Sequence, residues 1–303
     1  MKLACVAILT GLALMLSGCA TRPSTANSSA VSGASNDWVF IDNGKLRLGV
    51  IKSSGAGIGW LSQGAGARNL INHWDRGRLV QQSYYGSPDG SLWNQQPWSW
   101  NPVQGGDWKG NPATVFELKA GKDRLYARTQ GKHWASGAEV TEVVFEEWIT
   151  LKGPVAQVHF KMSYAGTNSH PRRSHEIPAL FCEPDLDTLA LYTGGDPWRQ
   201  KPLSRTKPGW PNEAMMMGEP WAAYVNKNDF GIGACVPVAR QLTCYRFGDG
   251  KPEHGSCSYF APITEFAITP GTVFECDLYL TIGRVDEMRE TFRRIVQSTR
   301  RER

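Results

Sequence analysis

Val155 to Tyr164 reads VAQVHFKMSY and Val273 to Ile282 reads VFECDLYLTI, and in both the side chains alternate between apolar and polar. In the first, Val158, Phe160, Met162 and Tyr164 alternate with His159, Lys161 and Ser163. In the second, Phe274, Cys276, Leu278, Leu280 and Ile282 alternate with Glu275, Asp277, Tyr279 and Thr281. A period of two sends successive side chains to opposite faces of a strand, so each segment has one wet and one buried face. Val140 to Leu151 follows the same rule. Trp38 to Ile51 carries two such runs around Asn43-Gly44, residues that tolerate the positive φ of a hairpin turn. Shorter candidates lie at 115–119, 124–129, 177–182, 187–192, 221–226, 231–236, 241–247 and 263–268, separated by Gly, Pro and Asp turns. So many short strands at near-regular spacing predict an all-β chain, a large antiparallel β-sandwich or barrel. One helix is predicted, over 285–298, where Val285, Met288, Phe292 and Ile295 form a stripe to lay on the sheet.

The amino-terminal residues MKLACVAILTGLALMLSGC combine Lys2, an apolar run from Leu3 to Leu16 and small residues before Cys19. Residues 1–18 read as a signal peptide, too short for a spanning helix. Leu16-Ser17-Gly18-Cys19 resembles the lipobox of bacterial lipoproteins, which implies cleavage before Cys19 and lipidation of its thiol. Ala20, in place of an aspartate, implies retention in the outer membrane, with the chain in the periplasm or at the cell surface. Residues 19–36 are small and polar and read as a flexible tether. Residues 37–303 then form a single β-sandwich domain.

The net charge is +5, one unit of which is Lys2, and the only basic cluster is the terminal Arg300-Arg301-Glu302-Arg303. Nucleic acid is therefore not an expected partner, and membrane contact is confined to the lipid anchor. Beyond Cys19 the cysteines are Cys182, Cys235, Cys244, Cys257 and Cys276. Cys244 and Cys257 are the closest candidates for pairing, and the odd count leaves at least one thiol free. No C-x-x-C pair, nucleotide-binding loop, H-E-x-x-H or G-x-S-x-G motif occurs, so neither a metal nor an organic cofactor is expected.

Residues 81–108, QQSYYGSPDGSLWNQQPWSWNPVQGGDW, contain four tryptophans, two tyrosines and five glutamines, no Lys or Arg, and no helix or strand period. A core would use Leu, Ile and Val, so these rings belong mostly at a surface or cleft. Sugar rings offer apolar C–H faces and hydroxyl rims, which match aromatic planes bordered by amides. Tyr84, Tyr85, Trp98, Trp100 and Trp108 supply planes, and Gln81, Gln82, Gln104 and the carboxylate of Asp107 supply hydrogen bonds. The competing reading is a long loop that buries its own tryptophans as a satellite core.

The segment from Asn43 to Tyr85, with NGKLRLGVIKSSGAGIGWLS and NLINHWDRGRLVQQSYY, resembles the opening of the galactose-mutarotase-like supersandwich. SHEIPALF (174–181), LYTGGDPW (191–198), GEPWAAYV (218–225) and FGIGACVP (230–237) are similar to its later strands. The resemblance implies a carbohydrate-processing β-sandwich. In mutarotases a histidine and a carboxylate exchange protons with the sugar, roles the resemblance carries to His175 beside Glu176, with His73 and His170 behind them.

Glycoside hydrolysis needs one protonated and one ionised carboxyl group flanking the bond. Glu176 in His175-Glu176-Ile177-Pro178 and Glu219 in Gly218-Glu219-Pro220-Trp221 are the preferred pair, with Asp107 next. Either glutamate could instead cap a strand or pair with Arg172, Arg173 or Arg199. Asp75 and Arg78 in Asp75-Arg76-Gly77-Arg78 are candidate substrate contacts, or a salt bridge to each other, and Trp198 and Trp221 are candidate stacking platforms. The expected function is a glycoside hydrolase with paired carboxylates in an aromatic cleft that takes an oligo- or polysaccharide. The alternatives are a lipoprotein that only binds glycan, and a polysaccharide lyase or aldose-epimerase-like enzyme, in which Tyr84, Tyr85 or His175 would be the base and Arg78 would neutralise a uronate.

Overall fold

Asn43 and Gly44 turn the chain as their chemistry predicts. The Asn43 side chain accepts from the Lys45 and Leu46 amides, each at 2.9 Å, and Gly44 takes φ 80°. The strands on either side, β1 (Trp38–Asp42) and β2 (Arg47–Ile51), pair antiparallel, and β3 (Ile58–Ser62) completes a three-stranded sheet. The computed structural model describes residues 37–74 and 77–301. The signal segment, Cys19, the tether and Asp75 lie outside the described residues.

Within 81–108 the chain forms four short strands: β4 (Gln81–Ser83), β5 (Pro88–Trp93), β6 (Gln96–Ser99) and β7 (Pro102–Val103). Short paired strands thus occupy a segment whose sequence shows no strand period. β5 and β6 form a hairpin closed by Asn94 and Gln95, both at positive φ (48° and 62°), the geometry of a two-residue primed turn. The pair lacks the usual glycine, and the hairpin stands free of the main sheet, so its strands have no buried face to create an alternating pattern.

The main sheet continues with β8 (Val115–Ala120), β9 (Arg124–His133), β10 (Glu139–Lys152), β11 (Val155–Tyr164), β12 (His170–Cys182) and β13 (Thr188–Leu191). It goes on with β14 (Ser204–Thr206), β15 (Glu213–Met216), β16 (Trp221–Val225), β17 (Phe230–Cys235), β18 (Gln241–Phe247), β19 (Cys257–Ile268) and β20 (Val273–Arg284). Its order is β14-β13-β16-β17-β20-β11-β10-β9-β7-β4-β12-β19-β18-β15, every pair is antiparallel, and β8 joins at β9. The path doubles back on itself, and side chains from its two halves meet in the core. Phe266 of β19 stacks on Phe274 of β20 at 4.6 Å, and the Tyr224 hydroxyl of β16 donates to carbonyls of β18 and β19. The result is the predicted sandwich, with β10, β11, β20, β17 and β16 in one layer and β4, β12, β19 and β18 in the other.

In the second layer Leu180, Cys182, Leu242, Cys244 and Phe260 point into the main core. Ala179, Phe181, Cys257, Tyr259, Ala261 and Ile263 form a separate apolar cluster on the opposite face. These strands are apolar on both faces, so the start of β19 shows no alternation in the sequence. The outer cluster becomes the floor of a groove.

Helix α1 (Val285–Arg301) follows β20 directly and buries Val285, Met288, Phe292 and Val296 against Trp221, Tyr279 and Cys235. Its stripe runs on through Val296, with Ile295 at the margin. All five described cysteines are buried and none forms a disulfide among the described residues, which removes the proposed Cys244–Cys257 pairing.

Candidate functional site

The groove lies on the outer face of β4, β12, β19 and β18 and encloses about 510 Å³, within the ~300–1,000 Å³ typical of small-ligand sites. Ala179, Phe181 and Tyr259 make its floor. The β5–β6 hairpin raises one wall, with Trp93 and Trp98 edge to face at 5.1 Å. Its base is tied down by the Asp89 carboxylate, 2.6 Å from Nε2 of His133, and by the Trp98 indole N–H, which donates to Asn101. Trp108 and Trp134 come from neighbouring loops, and the Trp108 N–H donates to the Ala135 carbonyl. Opposite them Trp210, 55% exposed, stands edge-on to Tyr245 at 4.9 Å and Phe247 at 5.6 Å. Arg78 lines the same space, its guanidinium donating to the Gly255 carbonyl and lying 5.9 Å from the Phe247 ring.

Glu176 is the one carboxylate among the described lining residues of this groove. It faces Ser83 across one strand pair and Ile263 across the other, and both ladders shift register immediately after it. Such a bulge re-aims a side chain. The Tyr259 hydroxyl donates to Glu176 Oε1 at 2.6 Å. Burial raises the Glu176 carboxyl above its ordinary value, although hydrogen bonds from Tyr259, Tyr85 and Ser83 oppose the shift. Burial, reinforced by the neighbouring Glu176 charge, also holds the Tyr85 and Tyr259 phenols well above theirs. The cluster therefore offers proton donors to a bound ligand.

Of the residues singled out in the sequence, Glu176, Arg78, Gln81, Tyr85, Trp98 and Trp108 border this groove. The Gln81 amide is committed to the backbone, donating to Gly77 and accepting from Gly105, so it shapes the floor.

The others are placed differently. Glu219 is fully buried away from the groove. Its carboxylate accepts from the Trp198 amide (2.6 Å), the Trp221 indole (2.8 Å) and the Arg289 guanidinium (2.7 and 3.0 Å), which together fasten α1 to the sheet. Trp198 and Trp221 belong to that anchorage. The expectation that Glu176 and Glu219 face one another across a bond is thus corrected, because Arg289, seventy residues along the chain, claims the second glutamate.

His175 is completely buried. Its Nδ1 accepts from the Tyr85 amide at 3.1 Å and its Nε2 lies 3.0 Å from the Phe266 carbonyl, which assigns the proton to Nε2. Burial pulls its pKa down to about 4, so it is a neutral support for Tyr85 and not a groove residue. Asp107 is buried too, its oxygens accepting from Lys109 N, Asn111 N and Asn111 Nδ2, so it shapes the turn that carries Trp108. Tyr84 stacks on Phe145 in the core, and Trp100 stacks on His170 at 4.0 Å. Gln82 and Gln104 are buried, donating to the Glu146 and Gly55 carbonyls. Tyr84 and Trp100 thus join the main core of the sandwich, and Gln82 and Gln104 are buried with their amides on the backbone, so none of the four faces the groove.

Trp93, Trp134, Trp210, Tyr245, Phe247 and Tyr259 line the groove without having been singled out. A signal existed for two of them: on β18 Leu242 and Cys244 point inward, so Tyr245 and Phe247 are aromatics on the outward face.

The architecture is that of a galactose mutarotase-like β-sandwich. A protein from Synechocystis superposes with a TM-score of 0.52 at 13% identity, over 81% of this chain and 95% of its own. A galactose mutarotase related enzyme from Lactobacillus acidophilus superposes with a TM-score of 0.52 at 9% identity, over 81% of this chain and 97% of its own. No family model matches the chain, and no curated protein matches it.

Proposed function

We propose that the chain binds an oligosaccharide along the aromatic groove. One observation carries this reading: five tryptophans, with Tyr85, Tyr245 and Phe247, border an open concavity in which Arg78 and Glu176 are the only charged residues among the described ones. Aromatic faces bordered by Asn94, Asn101 and Asn212 suit a ring with apolar C–H faces and a hydroxyl rim. A fold shared with a protein described as a galactose mutarotase related enzyme supports sugar recognition but does not set the reaction. Acylation of Cys19 would present the groove outside the inner membrane. The test is titration with oligosaccharides by calorimetry or tryptophan fluorescence. Trp108→Ala and Trp210→Ala should each weaken binding by about 1–2 kcal/mol, roughly 5- to 30-fold in Kd. Unchanged affinity in both variants would reject the groove as the binding site.

A second, catalytic reading is favoured by the setting of Glu176. Its half-buried carboxyl, bonded by Tyr259, is placed to act as a general acid on a glycosidic or anomeric oxygen. Hydrolysis by the pair Glu176 and Glu219 is not supported by this geometry, so any turnover relies on Glu176 with the tyrosines or with water. Glu176→Gln should then lower turnover by about 10²- to 10⁴-fold and leave glycan affinity within about twofold. Full activity in this variant would remove Glu176 from the chemistry.

A further inference from the structure

The groove does not stop at Glu176. Tyr85 and Glu176 also border a second cavity, of about 640 Å³, lined by Arg172, Arg173 and Ser174 of β12, Gln241 and Thr243 of β18, and Glu265 of β19. The first cavity is walled by indole rings. This one presents two guanidinium groups.

Adjacent residues of a regular strand point to opposite faces, so consecutive arginines would not normally reach one space. The β12–β19 ladder shifts register between His170 and Arg173, and that irregularity accompanies both arginines lining the same cavity. Neither is tightly committed. Arg172 meets Glu265 through one 3.4 Å contact with both side chains largely exposed, a pair that water or a ligand readily displaces. The Arg173 side chain, exposed beside its backbone pairing with Phe266, makes no hydrogen bond or ion pair among the described residues. Across both cavities the charged lining residues are three arginines, Arg78, Arg172 and Arg173, against two glutamates, Glu176 and Glu265. Burial at Glu176 favours its neutral form, which tilts the balance further toward positive.

We propose that the second cavity is a subsite for an anionic substituent, a carboxylate or sulfate on the sugar unit beyond the one held at Tyr85 and Glu176, so that the glycan bound is acidic. A guanidinium presents a planar fork of N–H donors that matches two oxygens of such a group. The continuity of the two cavities at Tyr85 and Glu176 lets one chain occupy both. This inference rests on the glycan-binding reading above.

The experiment is calorimetric titration of the protein with three hexasaccharides: neutral mannohexaose, hexagalacturonate, whose only anions are carboxylates, and a carrageenan hexasaccharide, whose only anions are sulfates. At least one acidic ligand is expected to bind about 10- to 100-fold more tightly than the neutral one, with the advantage shrinking as salt rises. The uronate and sulfate arms identify the anion. The double variant Arg172→Gln/Arg173→Gln should lose that advantage and keep affinity for mannohexaose within about twofold, and because both side chains are exposed its Tm serves as a fold control. Equal affinity for neutral and acidic ligands, or an advantage that survives the double variant, overturns the anionic subsite while leaving the glycan reading standing. Failure of all three ligands to bind overturns both.

Discussion

Glu147→Gln is expected to stabilise the protein by on the order of 5 kcal/mol at pH 9, and by less than about 1 kcal/mol at pH 5. Glu147 lies on β10 between Phe145 and Ile149 and is 1% exposed, facing the core. Neither carboxyl oxygen has a partner that meets hydrogen-bond geometry. Burial pushes its pKa from the usual 4.5 to about 8, and the Gln104 amide offsets only part of that. The folded chain therefore holds a proton that the unfolded chain releases above about pH 4.5. A raised folded pKa contributes stability that is complete below the unfolded value, falls as pH rises from 4.5, and is gone above 8. Glutamine fills the same volume without the titration, so the variant should be flat across that window. Thermal melts at pH 5, 7 and 9 should show the gap opening to roughly 10 °C or more in Tm. A gap that does not change with pH would mean that Glu147 does not titrate in the folded core.

Arg289→Met is expected to destabilise the chain by about 3–5 kcal/mol, because it strands the Glu219 carboxylate, which is 0% exposed, without its cation. Glu219→Gln should cost a similar amount by stranding Arg289. The double variant Glu219→Gln/Arg289→Met should cost clearly less than the sum of the two single losses, since neither charge is left buried alone and the glutamine oxygen still accepts from Trp198 or Trp221. Chemical denaturation of the four proteins measures this cycle. Glycan affinity, measured where each variant is folded, should not change. Additive losses in the cycle would refute the ion pair as the tie between α1 and the sheet, and a selective loss of glycan affinity or turnover in Glu219→Gln would return that residue to the site.

Much of the architecture was legible because a half-buried strand writes its environment into the chain. β11, β20 and the Asn43-Gly44 hairpin were evident from alternation and turn chemistry, and α1 from its apolar stripe. β5 and β6 were hidden because they bury little, and the first half of β19 because it buries both faces. The aromatic and amide content of 81–108 correctly indicated a concave surface. It did not separate Trp98 and Trp108, which face the groove, from Tyr84 and Trp100, which fill the core. Both pairs are aromatic and sit among the same amides and glycines, and only the packing around each ring tells them apart.

The amino-acid sequence alone settles the local physics of this protein: which segments extend, where they turn, and that its indoles and amides are too many for an ordinary core. The tertiary structure decides which of these groups meet. It sends Glu219 to Arg289 and leaves Glu176 with Tyr85 and Tyr259. It also brings Trp134, Trp210 and Tyr245 to the groove across long stretches of chain. A period of two fixes the face of a strand on which a side chain lies, but its neighbours on that face come from strands paired at long range, and it is those neighbours that set burial, charge and proton affinity.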